Sequence, residues 1–381
     1  MAIAREDAAP SFESWKLRLE RAAPDRLQAE IDEFLRILTV LGTPLIDGPN
    51  VHFVYYDTHA DQVALAGEFN EWGRNKDAIP MRRFGDTALF FHTLTVPGAT
   101  RLEYKFIVDG EWKPDPLCQH KIDNGIGAEN TFFIVGDFHD PPELQVVADI
   151  PHGRVEEFEF ESKLLHNRRR IYIYLPAAYD RDSDTRFPSF YVHDGGEYLE
   201  RARMATVMDN LIHARSIPPI VTVMIDPVDR MTEYRANDAY RDFLCDEFVP
   251  ATDRRYRTID HRDHRGVMGA SLGGLISAYA ALSRPQLFAR VAGQSSALQY
   301  GEERLVSILT GLAAPATIKF YLDVGSYEPR FIPAHERFVA LLRQKGWPCL
   351  YQEIAGGHNW TNWRAHLKDL LLYLWDEEPS S

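Results

Sequence analysis

Cysteine and long apolar runs are scarce in this sequence, and basic residues are fewer than acidic ones. Its 381 residues include three cysteines, Cys118, Cys245 and Cys349, which are odd in number and widely spaced. We therefore expect reduced packing residues rather than a disulfide framework. Lysine and arginine total 42 against 56 aspartate and glutamate residues, which gives a net charge of −14. A nucleic-acid or anionic membrane surface would need a basic stripe, so neither partner is expected.

No segment of the sequence is typical of secretion or of membrane insertion. The first 20 residues lack the apolar core that a signal peptide needs. The longest apolar run, between positions 34 and 46, is interrupted by Arg36, Gly42 and Pro44 and is too short to cross a bilayer. The sequence accordingly predicts a cytoplasmic protein.

The first 154 residues change in character along their length. Positions 1–48 carry apolar residues at helical spacing, divided by Pro24 and Asp25, and predict a helical arm of two helices. Positions 49–140 contain short runs such as VHFVYY and RLEYKFIVDG, rich in valine, phenylalanine and tyrosine and separated by turn residues. Such runs predict a small immunoglobulin-like β-sandwich, and the acidic, proline-containing stretch 141–154 predicts a linker.

The remaining segment, 155–377, alternates strand-like and helix-like stretches. IYIYLP, IVTVMID, GVMG and IKFYLD are typical of buried strands, and amphipathic stretches lie between them. Regular alternation of this kind predicts a parallel, doubly wound sheet with helices on both faces, which is the α/β class.

The stretch RGVMGASLGGLISAYAALS, from Arg265 to Ser283, is the most informative part of the chain. A short apolar run meets Gly-Ala-Ser-Leu-Gly, and an alanine- and leucine-rich helix follows, which is the strand–turn–helix setting of a nucleophile elbow. We expect Ser271 to be the nucleophile and the amide of Leu272, at the helix N-terminus, to stabilise an oxyanion. A structural turn is the alternative interpretation. An elbow in the middle of such a domain predicts the α/β-hydrolase fold.

That fold places an acid and then a histidine after the serine along the chain. His358, in the glycine-rich AGGHNW directly after a strand, is the expected general base, whereas His366 lies within the last predicted helix. The segment IKFYLDVGSYEP offers two acids. Glu328 is favoured because it lies in the loop, within reach of the imidazole N–H, and Asp323 is the alternative.

Further candidate site residues follow other strands. The glycines of HDGGEY make the amide of Gly195 or Gly196 the expected second oxyanion donor, unless they only turn the chain. Arg230 and Glu233 follow the strand IVTVMID and are candidate substrate ligands, since substrates bind at the carboxyl ends of such strands. An ion pair between these two residues is the structural alternative. Trp360, close to the candidate histidine in sequence, is a further candidate for substrate binding.

Six strings together resemble the enterochelin esterase family over about residues 150–375: HDGGEY, IDPVDRMTEYRAN, GASLGG, AGQSSAL, DVGSYEP and AGGHNW. The resemblance implies a serine esterase in which Ser271 is the nucleophile, His358 the base and Glu328 the acid. The best-known members open the trilactone of catecholate siderophores, so a ferric catecholate siderophore is the first candidate substrate. Feruloyl and acetyl-xylan esterases share this core, which leaves an acylated carbohydrate as the alternative substrate.

Within the predicted sandwich, AGEFNEWGRN, LEYKFIVDGEWKPDP and NGIGAENTFF resemble glycogen-binding carbohydrate modules and the early-set domains of glucan branching enzymes. By motif position, the resemblance implies that Trp72 and Trp112 stack on sugar rings while Lys105 and Asn130 bind sugar hydroxyls. An indole offers a flat apolar face, which suits that role. The alternative is that both tryptophans pack within the protein and that the sandwich is a structural partner of the second domain.

Three functions are therefore open. The leading hypothesis is a serine esterase of the enterochelin type, and the second is a carbohydrate-linked acyl esterase whose sandwich binds polysaccharide. The third, of another class, is a glucan-binding or scaffold protein on an inactive hydrolase fold. A triad needs no cofactor, and none is expected. No metal site is predicted either, because arginines flank His261 and His264 of HRDH. An oligomer is compatible with the sequence.

Overall fold

The computed structural model describes residues 11–124, 127–181, 183–312 and 317–376, leaving aside the side chains of residues 74–76. The predicted start of the helical arm, position 1, and the predicted end of the α/β segment, position 377, lie outside the described residues. The chain divides into two compact units. The first consists of Met1–His139 with Ala355–Gly357, and the second of Asp140–Ile354 with His358–Ser381.

Two helices open the first unit, α1 (Phe12–Arg21) and α2 (Leu27–Leu41). The hydroxyl of Ser11 accepts a hydrogen bond from the amide of Ser14, which caps the start of α1. Aromatic residues on the apolar faces of the helices meet each other, since the ring centroids of Trp15 and Phe34 lie 5.3 Å apart. The helices are therefore held by packing of their buried faces.

Two antiparallel sheets make up the rest of the first unit. One has the strand order β1-β2-β6-β5, and the other has the order β4-β3-β7-β10-β9 with β8 paired to β7. Phe53 of the first sheet packs edge-on against Tyr104 and Phe133 of the second, at centroid distances of 4.9 and 5.6 Å. This is the predicted β-sandwich, and its prediction is confirmed. The strands are β1 Leu45–Asp47, β2 Asn50–Tyr56, β3 Val63–Gly67, β4 Ile79–Pro80, β5 Arg82–Arg83, β6 Leu89–Thr95, β7 Thr100–Val108, β8 Glu111–Lys113, β9 Lys121–Asp123 and β10 Glu129–Val135.

The second unit is built on an eight-stranded sheet of order β11-β12-β14-β13-β15-β16-β17-β18. The first two pairings, β11 with β12 and β12 with β14, are antiparallel, and all the others are parallel. This mixed, mostly parallel sheet confirms the predicted α/β-hydrolase class. The strands are β11 Arg154–Ser162, β12 Asn167–Leu175, β13 Ser189–His193, β14 Val221–Ile225, β15 Arg265–Ala270, β16 Arg290–Gln294, β17 Lys319–Gly325 and β18 Cys349–Ile354.

Helices follow each of the six strands β13 to β18 along the chain, and a π-helical turn, Phe243–Phe248, joins α6 to α7. In the described part of the chain, no helix is both long enough and apolar enough to cross a membrane. The helices are α3 Gly195–Glu200, α4 Met204–His213, α5 Arg230–Glu233, α6 Asp238–Asp242, α7 Val249–Arg255, α8 Leu272–Ser283, α9 Glu302–Gly311, α10 Ile332–Gln344, α11 Trp360–Ala365 and α12 Leu367–Trp375.

Helix α8 is the central helix of the second unit. Every residue of α8 except the last, Ser283, is buried, which fits a segment that is apolar on all sides. At its start the chain comes close to the preceding strand. A Cβ placed on Gly269 would lie 2.5 Å from the carbonyl carbon of Gly273, so only glycine fits there. This close approach determines where the residue between β15 and α8 stands.

The three cysteines are unpaired in the structure. Cys118 and Cys245 are buried and Cys349 is half-buried. Burial raises the pKa of all three thiols, that of Cys245 to about 12 and that of Cys349 to about 11. The thiolate is the reactive form, so these side chains serve packing rather than chemistry.

Candidate active site

Ser271 stands at the sharp turn between β15 and α8. Its backbone has φ 56° and ψ −120°, a conformation that costs energy for any residue with a Cβ. Two backbone hydrogen bonds hold it there: its amide donates to the carbonyl of Gln294 and its carbonyl accepts from the amide of Ala297, both at 2.8 Å. The surrounding chain therefore enforces the strained turn that a nucleophile elbow requires.

His358 lies in the loop between β18 and α11. Its Nδ1 is 2.5 Å from Oε1 of Glu328. The imidazole is also enclosed by two aromatic rings, with the centroid of Phe331 at 4.9 Å and that of Trp363, edge-on, at 5.0 Å. The structure thus brings together the histidine and the favoured acid of the sequence analysis.

Glu328 is held by more than the histidine. Its Oε2 accepts a hydrogen bond from the hydroxyl of Ser295 and another from the amide of Gly325, each at 2.6 Å. Burial by itself would raise the pKa of the Glu328 carboxyl. The hydrogen bond and charge of His358, followed by the two other donors, outweigh burial and lower the pKa below its ordinary value. The carboxylate is therefore ionised where it meets the imidazole.

Asp323, the alternative acid, has other partners. It is fully buried, and its carboxylate accepts hydrogen bonds from the amide of Ser295 at 3.3 Å and from the side chain of Gln294 at 3.4 Å. Burial raises its pKa to about 6, against an opposing attraction from His366. In the described structure it is Glu328, and not Asp323, whose carboxylate contacts the ring of His358.

The candidate oxyanion donors are backbone amides at the N-termini of α8 and α3. Leu272 is the first residue of α8, where a backbone N–H has no acceptor one turn earlier in the helix. Gly196 donates its N–H to Oδ1 of Asp226 at 2.7 Å. Gly195 is the first residue of α3 and packs so closely on β14 that an added Cβ would lie 2.4 Å from the amide nitrogen of Ile225. Of the two glycine amides, the one of Gly196 is engaged by a carboxylate.

The alternative interpretation, an ion pair between Arg230 and Glu233, is wrong. Arg230 forms a two-pronged ion pair with Asp194, with both N···O distances at 2.8 Å. Glu233 is buried and accepts two hydrogen bonds from Arg169, at 2.9 and 3.0 Å. The tertiary structure supplies both partners from outside α5. Arg169 lies in β12, and Asp194 directly follows β13.

Trp360 lies at the start of α11. Its ring meets Tyr198 edge-on at 5.0 Å and Trp363 edge-on at 4.9 Å. It therefore belongs to an aromatic cluster that also includes the ring packed on His358.

The four candidate sugar-binding residues all lie in the first unit. The rings of Trp72 and Trp112 are neighbours, with centroids 6.4 Å apart, and Trp112 is 49% exposed. Lys105 and Asn130 are buried instead. Burial lowers the pKa of Lys105, and the side-chain amide of Asn130 donates to Glu103 at 2.8 Å. The structure thus brings the two indoles together and places the two polar candidates in buried surroundings.

Three residues of the site were not identified from the sequence. Ser295 and Trp363 hold Glu328 and His358, and Asp226 accepts from Gly196. Ser295 and Asp226 each follow the end of a strand of the sheet, a position that could have drawn attention to them. No local pattern marks Trp363, because its role depends on where α11 lies.

Two protein families match this chain. Residues 162–374 match the family described as "Putative esterase", and residues 50–139 match the one described as "Glycogen recognition site of AMP-activated protein kinase". The two matches fall on the α/β sheet and on the β-sandwich respectively.

Individual relatives are similar over part of their length. An iron(III) enterobactin esterase of Escherichia coli is 28% identical over 237 residues, which are 59% of this chain and 58% of that protein. The uncharacterised protein YbbA of Bacillus subtilis is 29% identical over 178 residues, 42% of this chain and 70% of that protein. The crystal structure of the ferric enterobactin esterase of Salmonella typhimurium gives a TM-score of 0.73 at 21% identity, covering 91% of this chain and 98% of that one. At that identity the likeness concerns the fold.

Proposed function

This chain belongs to the family described as "Putative esterase", and from that premise we propose that it hydrolyses carboxylic esters with Ser271, His358 and Glu328 as its triad. The observation that carries the proposal is the 2.5 Å contact between Nδ1 of His358 and Oε1 of Glu328. A serine held in a strained turn at the start of a buried helix gives it further support.

In the proposed first half-reaction, Oγ of Ser271 attacks the ester carbonyl carbon while Nε2 of His358 takes the hydroxyl proton. Glu328 holds the imidazole with its proton on Nδ1 and stabilises the imidazolium that forms. The oxyanion of the tetrahedral intermediate would accept from the amide of Leu272 and from that of Gly195, since the amide of Gly196 donates to Asp226.

Collapse of the intermediate breaks the bond to the alcohol oxygen, and the alcohol leaves with the proton from His358. The acyl group stays on Ser271. A water molecule then attacks this acyl-enzyme as it gives a proton to His358, and the acid product departs as Ser271 regains its proton. The ionised state of Glu328 suits both halves, because an imidazolium forms in each.

For the substrate, we favour a catecholate siderophore trilactone. The E. coli relative that matches over 237 residues is an iron(III) enterobactin esterase. An anionic aromatic ligand also suits two residues that follow strands of the sheet: the guanidinium of Arg235 lies 5.1 Å from the ring of Tyr300, and both side chains are exposed. Arg230 is a weaker candidate ligand, because its guanidinium is already paired with Asp194.

A carbohydrate-linked ester is the second candidate substrate. One observation favours it, namely that Trp72 and the half-exposed Trp112 are neighbours within a domain that matches a glycogen recognition family. Two adjacent indoles offer apolar faces to sugar rings.

The test is hydrolysis of three esters by the full chain and by the Ser271→Ala variant: p-nitrophenyl acetate, a catecholate trilactone with and without iron, and a feruloylated oligosaccharide. We expect turnover that depends on Ser271 and is fastest on the trilactone. Preference for the feruloylated sugar would select the second candidate. Absence of Ser271-dependent turnover on all three would contradict the proposed activity and favour a binding or scaffold role.

A further inference from the structure

A buried serine lies between the acid of the proposed triad and a tryptophan. Ser295 directly follows β16 and is completely buried. Its Oγ is 2.6 Å from Oε2 of Glu328 and 3.0 Å from Nε1 of Trp363. The hydroxyl is thus the middle member of a short chain of hydrogen bonds that ends on the carboxylate.

The chemistry of the two neighbours determines the direction of these hydrogen bonds. An indole N–H can only donate, so the oxygen of Ser295 must accept from Trp363. An ionised carboxylate can only accept, so the single hydroxyl proton of Ser295 must go to Glu328. Trp363 therefore orients the hydroxyl of Ser295 towards the carboxylate.

The two oxygens of Glu328 consequently have separate tasks. Oε2 accepts from the hydroxyl of Ser295 and from the amide of Gly325, whereas Oε1 faces Nδ1 of His358. With Oε2 held at two points, the carboxylate cannot turn away from the imidazole. Hydrogen bonds to a charged group are among the stronger ones in proteins.

Ser295 itself is held in an unfavourable conformation. Its φ is 44°, in the left-handed region, where a residue with a Cβ is strained. Its amide donates to the carbonyl of Asp323 at 2.8 Å, which keeps the backbone in place. Strain of this kind persists where the surrounding structure enforces it, and it is typical of functional sites.

We propose that Ser295 is a positioning residue of the triad, which fixes the carboxylate of Glu328 against His358, and that Trp363 sets the direction of its hydroxyl. The inference rests on the proposed function, since it assigns a role within that triad. Trp363 contacts the triad in two ways: its indole N–H donates to Ser295, and its ring packs edge-on against His358 at a centroid distance of 5.0 Å.

The chain offers a matched control at the next position. Ser296 is also completely buried, and its Oγ has no hydrogen-bond partner among the residues that the structure describes. Ser295→Ala and Ser296→Ala each remove one buried hydroxyl from adjacent positions. Only the first removes a hydrogen bond to Glu328.

The experiment measures the rate at which a fluorophosphonate probe labels Ser271, together with kcat and KM for p-nitrophenyl acetate. We expect Ser295→Ala to lower the labelling rate and kcat about tenfold with KM unchanged, as for the loss of one hydrogen bond to a charged group. Ser296→Ala should match the wild type. Equal rates for the two variants would overturn the inference.

Two further variants separate positioning from stability. Ser295→Gly also lacks the hydroxyl but adopts φ 44° without strain, so it should lose as much activity as Ser295→Ala while being more stable. Trp363→Phe should cause a smaller loss, and none in addition once Ser295 is alanine. If the more stable Ser295→Gly variant kept wild-type activity although it lacks the hydroxyl, a positioning role would be contradicted.

A readout that does not need activity comes from the Nδ1 proton of His358. Proton NMR should show a downfield signal that disappears in His358→Ala, persists in Ser296→Ala and is lost or broadened in Ser295→Ala. A signal that is unchanged in Ser295→Ala would overturn the inference. If the wild type fails to react with the probe, the proposed function fails, and this signal still decides whether Ser295 holds Glu328 against His358.

Discussion

Oε1 of Glu328 lies 2.5 Å from Nδ1 of His358, yet the two side chains differ widely in exposure. The glutamate side chain is 2% exposed and the imidazole is 34% exposed. The acid is therefore shielded from solvent, which strengthens its interaction with the histidine, while part of the imidazole stays accessible. This asymmetry suits a base that must reach a substrate and an acid that only has to orient it.

Replacing the acid should damage catalysis far more than replacing the neighbouring aspartate. Glu328→Gln removes the charge that holds the imidazole tautomer, and we expect kcat to fall by about 10³–10⁴-fold. Asp323→Asn is the matched variant, and we expect it to lower kcat by less than about tenfold, since Asp323 does not contact His358. Steady-state hydrolysis of p-nitrophenyl acetate measures both, and the reverse order would assign the acid to Asp323.

The strain at Ser271 should appear as a difference in stability between two inactive variants. Both Ser271→Ala and Ser271→Gly remove the nucleophile, but only glycine adopts φ 56° and ψ −120° without strain. We expect Ser271→Gly to be more stable than Ser271→Ala by about 1 kcal/mol. Urea unfolding followed by tryptophan fluorescence checks this, and equal midpoints would mean that the turn is not strained.

Asp323 should make stability depend on pH in a definite direction. Burial raises its pKa from 3.8 to about 6, so between these values the folded state binds more protons than the unfolded state. The contribution of Asp323 to the free energy of unfolding of the wild type therefore falls as pH rises through this window. Asp323→Asn cannot ionise and lacks this loss.

The corresponding measurement is urea unfolding of both proteins at intervals from pH 4 to pH 7. Relative to the wild type, Asp323→Asn should gain stability as pH rises, by an amount on the order of 1 kcal/mol or more. A difference that stays constant over the window would show that Asp323 titrates normally.

The ion pair of Arg230 and Asp194 should matter for stability. The carboxyl of Asp194 is buried, and burial raises its pKa while the guanidinium opposes the rise. Arg230→Met leaves this buried group unpaired, and we expect a loss of about 2–3 kcal/mol in unfolding free energy, less than for a fully buried pair because the Arg230 side chain is 35% exposed. Arg235→Met, in which an exposed arginine of the same segment is replaced, should cost less than about 0.5 kcal/mol.

A double variant tests the same ion pair. Asp194→Asn combined with Arg230→Met removes the unpaired charge and should recover most of the lost stability. If Arg230→Met instead raised KM for a catecholate ester and left stability unchanged, Arg230 would be a substrate ligand.

Sugar binding by the first unit can be tested apart from ester hydrolysis. If the adjacent Trp72 and Trp112 bind glucan, Trp112→Ala should weaken retention on insoluble α-glucan by about tenfold. Tyr300→Ala is a matched control, because Tyr300 is an aromatic residue of the second unit with a similar exposure of 53% against 49%. Equally weak retention of the wild type, Trp112→Ala and Tyr300→Ala would favour a structural role for the sandwich.

Local sequence patterns were enough for the fold and for two members of the proposed triad. The elbow around Ser271 is recognisable because a short strand, a glycine-flanked turn and an apolar helix are consecutive in the chain. His358 is recognisable because glycines precede it directly after a strand. The alternating strands of the sandwich and the sheet likewise depend on residues only a few positions apart.

Local patterns of this kind do not predict which side chains from distant parts of the chain form hydrogen bonds or ion pairs. Asp323 lies within β17 and Glu328 three residues after its end, and only the path of the loop decides which of them meets His358. Arg230 takes its partner, Asp194, from 36 residues earlier rather than from its own helix, because two parallel strands end side by side.

The sequence by itself determined the architecture and the chemistry available, namely an α/β-hydrolase sheet with a serine at an elbow and a histidine after the last strand. Only the tertiary structure decided which acid meets the histidine and which residue holds that acid. Ser295 acquires its place because β16 and β17 are adjacent and α11 brings Trp363 over the end of β16. Periodicity reports the burial of a segment, whereas hydrogen bonds between side chains depend on how separate segments come together in space.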